Sequence, residues 1–239
     1  MKKGKKIVLT ILFVLLVPIA WGAYFAYRET TKAFSEDPLV WEDTIREFEL
    51  QGERYSEPEN AVVFVGSSSI RFWSTLKEDM YPIPVIQRGF GGAKLRDVAH
   101  YAKRLVNVHD PSAIVVFAGT NDIHPGYAKS PETLMQTYRE FVGTVRRDLP
   151  TVPIYFIAIT PSITRWEVWD IAQDTNALIQ AYSATDETLH VIDTTEVLLG
   201  ADGLPDEKNY KIDGLHLSEQ GYKVWARVIR EHLKEYATL

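Results

Sequence analysis

Cysteine is absent from the chain, which excludes disulfides, thiolate zinc sites, iron–sulfur clusters and a cysteine nucleophile. Histidine pairs at His-x-x-x-His spacing are missing as well, so no cluster has the ligand spacing of a zinc site, and neither a metal nor a cofactor is expected. Positive charge is in short supply: 26 basic residues face 32 acidic ones, a formal net charge of −6. A chain of that sign lacks the means to neutralise nucleic-acid phosphates, and no nucleic-acid partner is expected. Internal repeats, low-complexity tracts and Gly/Ser linkers are also lacking. The remaining composition, 46% hydrophobic and 24% charged, is that of a globular protein and not of a coiled coil or a disordered chain.

The charge that exists is unevenly placed. Lys2, Lys3, Lys5 and Lys6 are the only charged residues before Arg28, and without them the chain carries −10. Ile7 to Tyr27 follow as 21 residues without a charge. At about 1.5 Å per residue, a helix of that length spans roughly the 30 Å of a bilayer's hydrocarbon core. Trp21, Tyr24 and Tyr27 sit at its far end, where aromatic belts occur, and the lysines on the near side predict an N-terminus inside and the rest of the chain outside the cytoplasm. A cleaved signal peptide is the alternative, with Ala20-Trp21-Gly22 as its small-x-small site; the protein would then be secreted. Residues 1–27 are therefore expected to be an anchor or signal, 28–60 a juxtamembrane stalk with a lead-in helix, and 61–239 one catalytic domain.

Within that domain, short runs rich in Val and Ile alternate with helical patterns. Strands are predicted at Ala61–Val65, Pro84–Arg88, Ala113–Ala118, Pro153–Ile159 and Leu189–Ile192, and helices near 69–78, 94–107, 131–148, 170–184 and after Ser218. Five strands separated by helices specify an α/β fold, a doubly wound five-stranded parallel sheet flanked by helices. Strands apolar along their whole length are those buried on both faces. Ligands of such sheets bind beyond the carboxyl ends of the strands, which is where chemistry is to be sought.

Those ends carry unusual residues. The first strand runs into Gly66-Ser67-Ser68-Ser69, the second into Gly89-Phe90-Gly91-Gly92, and the third into Gly119-Thr120-Asn121-Asp122. Asp213-Gly214-Leu215-His216 precedes the last helix. Taken singly, each has a plain reading as a turn, a helix cap or a loop. The dinucleotide pattern G-x-G-x-x-G fails at Lys94, and the G-x-S-x-G elbow fails at Ile70. His216 differs from the other histidines in having an aspartate three residues before it in a glycine-containing turn.

In this order, the four segments resemble the SGNH (GDSL-type) serine hydrolase family over Ala61 to about Trp225, with a flavodoxin-like fold implied. The match departs at Ser67, where the family usually has aspartate, and at Ala93, where its second block often has another. The resemblance implies Ser68 as nucleophile, His216 as base and Asp213 as its orienting partner, with the backbone N–H groups of Ser68 and Gly92 and the Asn121 side chain as the oxyanion hole. A serine hydroxyl needs a base to take its proton, and the tetrahedral intermediate needs donors for its oxyanion. Trp73, Phe90, Arg165 and Trp166 stand near strand ends as candidate substrate-binding residues.

The expected activity is cleavage of carboxylic esters through an acyl-enzyme, with an ester-bearing small molecule, carbohydrate or lipid as substrate and the membrane as partner through the N-terminal segment. Acyl transfer to a sugar or lipid uses the same residues. A non-catalytic carbohydrate- or lipid-binding module on the same fold is the alternative outside enzymology.

Overall fold

The computed structural model describes residues 16–18, 20–22, 24, 27–28 and 30–238. The apolar run expected to be an anchor or signal lies largely outside the described residues. Among those described, no helix is long and apolar enough to cross a membrane.

Five parallel strands, β1 (Val62–Gly66), β2 (Val85–Gly89), β3 (Ala113–Phe117), β4 (Ile154–Ile157) and β5 (Leu189–Ile192), form one sheet in the order β2-β1-β3-β4-β5. The chain steps from β1 outward to β2, then returns past β1 to β3. This leaves a topological switch point between β1 and β3, the place where a crevice opens in sheets of this order. Alternate residues of each strand feed opposite layers. Val63 and Val65 of β1 join Ile114 and Val116 of β3 in one core, while Val62, Phe64, Val115 and Phe117 join the other.

The first core is covered by α1 (Glu42–Arg54), α4 (Leu95–Leu105), α5 (Pro131–Arg146) and α6 (Trp169–Ser183), and the second by α2 (Ser68–Arg71), α3 (Leu76–Met80), α7 (Thr195–Leu198) and α8 (Glu219–Leu233). Local chemistry sets several helix starts. Ser130 accepts from the Thr133 N–H with Pro131 in the first turn of α5, and Ser218 accepts from the Gly221 N–H at the start of α8.

Two departures from the sequence reading have clear causes. The helix expected over 69–78 is two short ones, because the chain leaves the helical path at Phe72 and turns Trp73 into the core. There the indole lies against Tyr222 and Trp225 and donates to Asp79 at 2.6 Å. Truncating a core tryptophan costs about 3–5 kcal/mol, whereas a backbone hydrogen bond contributes roughly 1 kcal/mol net, so burial decides the local path. The segment expected to be a stalk is packed against the domain. Residues 30–34 are helical, and Trp41 and Ile45 are fully buried in the first core.

Candidate active site

The candidate nucleophile is placed by a turn that only glycine fits. Gly66, the last residue of β1, has φ +151°, and a Cβ there would stand 2.0 Å from the Phe117 carbonyl oxygen. The Ser67 N–H donates to that same carbonyl at 3.0 Å, fixing the turn to β3. Ser68 then opens α2, where the first N–H of a helix has no intrahelical acceptor. The Tyr222 hydroxyl of α8 donates to the Ser69 carbonyl at 2.8 Å and holds this short helix from behind.

His216 and Asp213 arrive from the loop before α8. The two oxygens of Asp213 divide their work. Oδ1 accepts from the backbone N–H groups of Leu215 and His216 at 3.0 and 2.9 Å, and Oδ2 lies 2.7 Å from His216 Nδ1. The other ring nitrogen, Nε2, lies 2.9 Å from Ser68 Oγ. With Nδ1 protonated toward Asp213, Nε2 presents its lone pair to the hydroxyl. Burial pushes the Asp213 carboxyl up, but the hydrogen bonds from His216 and the two backbone amides outweigh it, and its pKa stays below the usual aspartate value. Phe72 meets the His216 ring edge-on at 5.0 Å, restraining its face.

The loops after β2 and β3, the two strands that flank β1, carry the other candidate donors. Gly92 has φ +75°, and its N–H meets no acceptor among the described residues. Asn121 Nδ2 donates to the Ala93 carbonyl at 3.0 Å, which fixes the amide next to Gly92 and leaves it a second N–H. Asp122 is buried and accepts from the Leu95 N–H at the start of α4 and from Lys129. Burial raises its pKa despite that lysine, and its position is that of a brace between loops.

The candidate substrate-binding residues divide. Arg165 lines a cavity of about 390 Å³ together with Asn121, Ala33, Phe34, Glu36 and Tyr127. Trp166 stacks on Trp169 at 6.0 Å and is not part of that cavity's wall. Trp73 and Phe90 are not available to a ligand: both side chains are fully buried, Phe90 edge-on against Trp41. A position just after a strand end does not decide between pocket and core, and here the apolar rings joined the two cores.

Sequence reasoning missed the wall contributed by residues 33–36. The Ala33 methyl packs so tightly on Gly92 that a Cβ at Gly92 would lie 2.5 Å from it. Glu36 gathers Lys94, Arg96 and Lys129 at 2.6–3.2 Å, so one carboxylate ties the lead-in segment to loops on both sides of the site. Lys94 itself was a usable signal. It occupies the N-cap of α4, where Ser, Asp or Asn is preferred, and an out-of-pattern lysine there points to a partner elsewhere in the chain.

Sheet order and switch point define an α/β fold with a five-stranded parallel sheet flanked by helices, and beyond its strand ends Ser68, His216 and Asp213 stand within hydrogen-bond distance of one another. A sequence model of the GDSL-like Lipase/Acylhydrolase family matches residues 60–224, and the chain belongs to that family. Among solved structures, a GDSL-like lipase from Bacteroides thetaiotaomicron is similar at 19% identity and a TM-score of 0.68, over 80% of this chain and 97% of that one. A lipase/acylhydrolase from Enterococcus faecalis aligns at 18% identity and a TM-score of 0.57, over 74% and 96%. A family 3 carbohydrate esterase from Clostridium thermocellum aligns at 14% identity and a TM-score of 0.58, over 76% and 98%. At these identities the likeness is one of fold. No curated protein matches the sequence.

Proposed function

We propose that the protein hydrolyses carboxylic esters through an acyl-enzyme on Ser68, with short acyl groups as its substrates. The observation that carries this is the continuous relay from Ser68 Oγ to His216 Nε2 at 2.9 Å and from His216 Nδ1 to Asp213 at 2.7 Å. In the first step Ser68 Oγ attacks the ester carbonyl and its proton passes to Nε2. Asp213 holds the ring in the tautomer that accepts that proton and stabilises the imidazolium that results. The oxyanion is met by the Ser68 and Gly92 N–H groups and the free N–H of Asn121, each such donor being worth ~10²–10³ in rate. His216 then returns the proton to the leaving alcohol, and water repeats the sequence on the acyl-enzyme. The same residues serve transfer to a sugar or lipid hydroxyl in place of water.

The cavity beside Asn121, about 390 Å³, lies at the small end of the ~300–1,000 Å³ range of ligand pockets, which supports short acyl or alcohol groups over long fatty chains. The test is a chain-length series of p-nitrophenyl esters with and without a serine-directed phosphonate. Highest kcat/KM at acetyl to butyryl, abolished by the phosphonate, is the expected result; a maximum at palmitoyl would overturn the size argument. We place this chemistry outside the cytoplasm, on the basis of the four lysines ahead of the apolar run. A reporter active only outside the cytoplasm, fused after Leu239, should give signal, and a silent fusion with an active cytoplasmic counterpart would contradict it.

A further inference from the structure

Among the described residues, every partly buried arginine except Arg165 has acceptors for its terminal nitrogens, although the Nε of Arg146 is, like that of Arg165, left without a partner. Arg88 is paired with Glu57, Arg104 with Glu42 and Glu49, and Arg146 donates to the carbonyls of Leu149 and Val152 and to the Thr188 hydroxyl. Arg165 is half-buried, yet no carboxylate among the described residues lies within ion-pair distance of it. Its Nε is buried without a hydrogen-bond partner. Burial with no compensating anion is what depresses its pKa. A half-buried guanidinium with one N–H unpartnered and no anion beside it is costly, and its terminal N–H groups are free to meet an incoming acceptor.

The place of Arg165 says what that is. It lies in the turn Ile163–Val168, whose Thr164 N–H donates at 3.1 Å to the carbonyl of Gly214, inside the Asp213–His216 loop. Its side chain lines the same cavity as Asn121, so it shares a wall with one of the candidate oxyanion donors. The other charges of that wall do not cancel it. Glu36 is taken up by Lys94, Arg96 and Lys129, and Lys94, also on the wall, is committed to Glu36, so Arg165 is the charge of that wall left without a counter-ion among the described residues. An acidic protein thus carries a cavity with one uncompensated positive charge, Arg165, on a wall shared with Ala33, Phe34 and Tyr127.

We propose that this cavity is a subsite for an anionic substituent of the ester, a carboxylate or a phosphate, which pairs with Arg165. The proposal rests on the esterase reading for the chemistry at Ser68 and adds the class of substrate. A planar guanidinium receives either anion through two parallel N–H donors, and a charge-assisted contact of this kind corresponds to about a tenfold to hundredfold preference over a neutral isostere. The anion can be carried by the acyl group or by the alcohol.

Two sets of measurements test this on the full chain. Calorimetry compares glutarate with glutaramide, and glycerol 3-phosphate with glycerol, on the wild type and on R165Q and R165K. At least one anion should bind ten times more tightly than its neutral partner, R165Q should abolish the difference, and R165K should keep part of it. Kinetics then compares p-nitrophenyl hemiglutarate with p-nitrophenyl butyrate, and acetylated glycerol 3-phosphate with acetylated glycerol; the pair showing the preference identifies which side of the ester bears the charge. Equal binding of anion and neutral partner by the wild type, or a difference that survives in R165Q, would overturn the subsite. The binding comparison does not depend on turnover, so failure of the esterase reading and failure of the subsite are separate results.

Discussion

Replacing Glu36 by glutamine asks whether charge holds the lead-in segment on the active-site loops. Glu36 receives Lys94 at 2.6 Å, Arg96 at 2.9 Å, and Lys129 and the Tyr127 hydroxyl each at 3.2 Å. Burial alone would raise its pKa, but hydrogen bonds from Lys94, Lys129 and Arg96 outweigh burial and bring it from the ordinary 4.5 to about 2. At 1.36 kcal/mol per pH unit, such a fall corresponds to roughly 3 kcal/mol. The side chain keeps 41% of its surface in water, where ion pairs are screened, which reduces the expected share to about 1–2 kcal/mol. Against this stands Lys94, only 3% exposed, which would retain the Ser35 carbonyl as its acceptor. Stranding a buried charge costs ~3–5 kcal/mol, and with its partner partly wet, E36Q should lose about 2–3 kcal/mol of unfolding free energy at neutral pH. A carboxylate whose folded pKa lies below its unfolded value contributes fully above about pH 4.5 and ceases to contribute as pH falls toward 2. The gap between wild type and E36Q in urea denaturation should therefore close over that window. Because Ala33 packs on Gly92, kcat should fall as well. A gap under about 0.5 kcal/mol at pH 7, the scatter of ordinary surface substitutions, would refute the reasoning. So would a gap that does not change on acidification.

Other substitutions separate the roles at the site. Asn121→Ala should lower kcat by ~10²–10³ with little change in KM, since in the proposed mechanism its amide meets charge that exists only in the transition state; a rise in KM alone in steady-state kinetics would make it a ground-state binding group. His216→Ala should cost nearly as much as Ser68→Ala, and Asp213→Asn the same or less, because members of a triad act as a unit. Trp73→Ala should lower stability by about 3–5 kcal/mol in denaturation, as expected of a core ring. Unchanged stability with a raised KM would return Trp73 to the pocket.

The sheet was legible because each strand is a short apolar run between turn residues, and the observed strand ends fall within one or two residues of those read from the sequence. The stripe Ile70, Trp73, Leu76, Met80 shows both the reach and the limit of periodicity. All four side chains are buried as helical spacing implies, yet the chain breaks between them, since only the partners on α8 decide Trp73's path. Ser68, Asp213 and His216 stood out because a strand end and an Asp-x-x-His spacing are local facts. The cavity wall was not legible. Phe34 and Glu36 lie some sixty residues before Lys94 and Arg96, and nothing short of the tertiary fold places them together. Phe90 misled for the opposite reason, being adjacent in sequence to Gly91 and Gly92 but turned inward onto Trp41.

The most direct test of the account is the site of covalent modification. The protein is treated with a serine-directed phosphonate, digested, and the adduct located by mass spectrometry. His216 Nε2 lies 2.9 Å from the Ser68 hydroxyl, so under the proposed mechanism that hydroxyl, and not those of its neighbours, is the activated one. The adduct should therefore lie on Ser68, disappear in Ser68→Ala, and form far more slowly in His216→Ala. An adduct on Ser67 or Ser69, or labelling that persists in Ser68→Ala, would contradict the assignment of the nucleophile and with it the mechanism built on that residue.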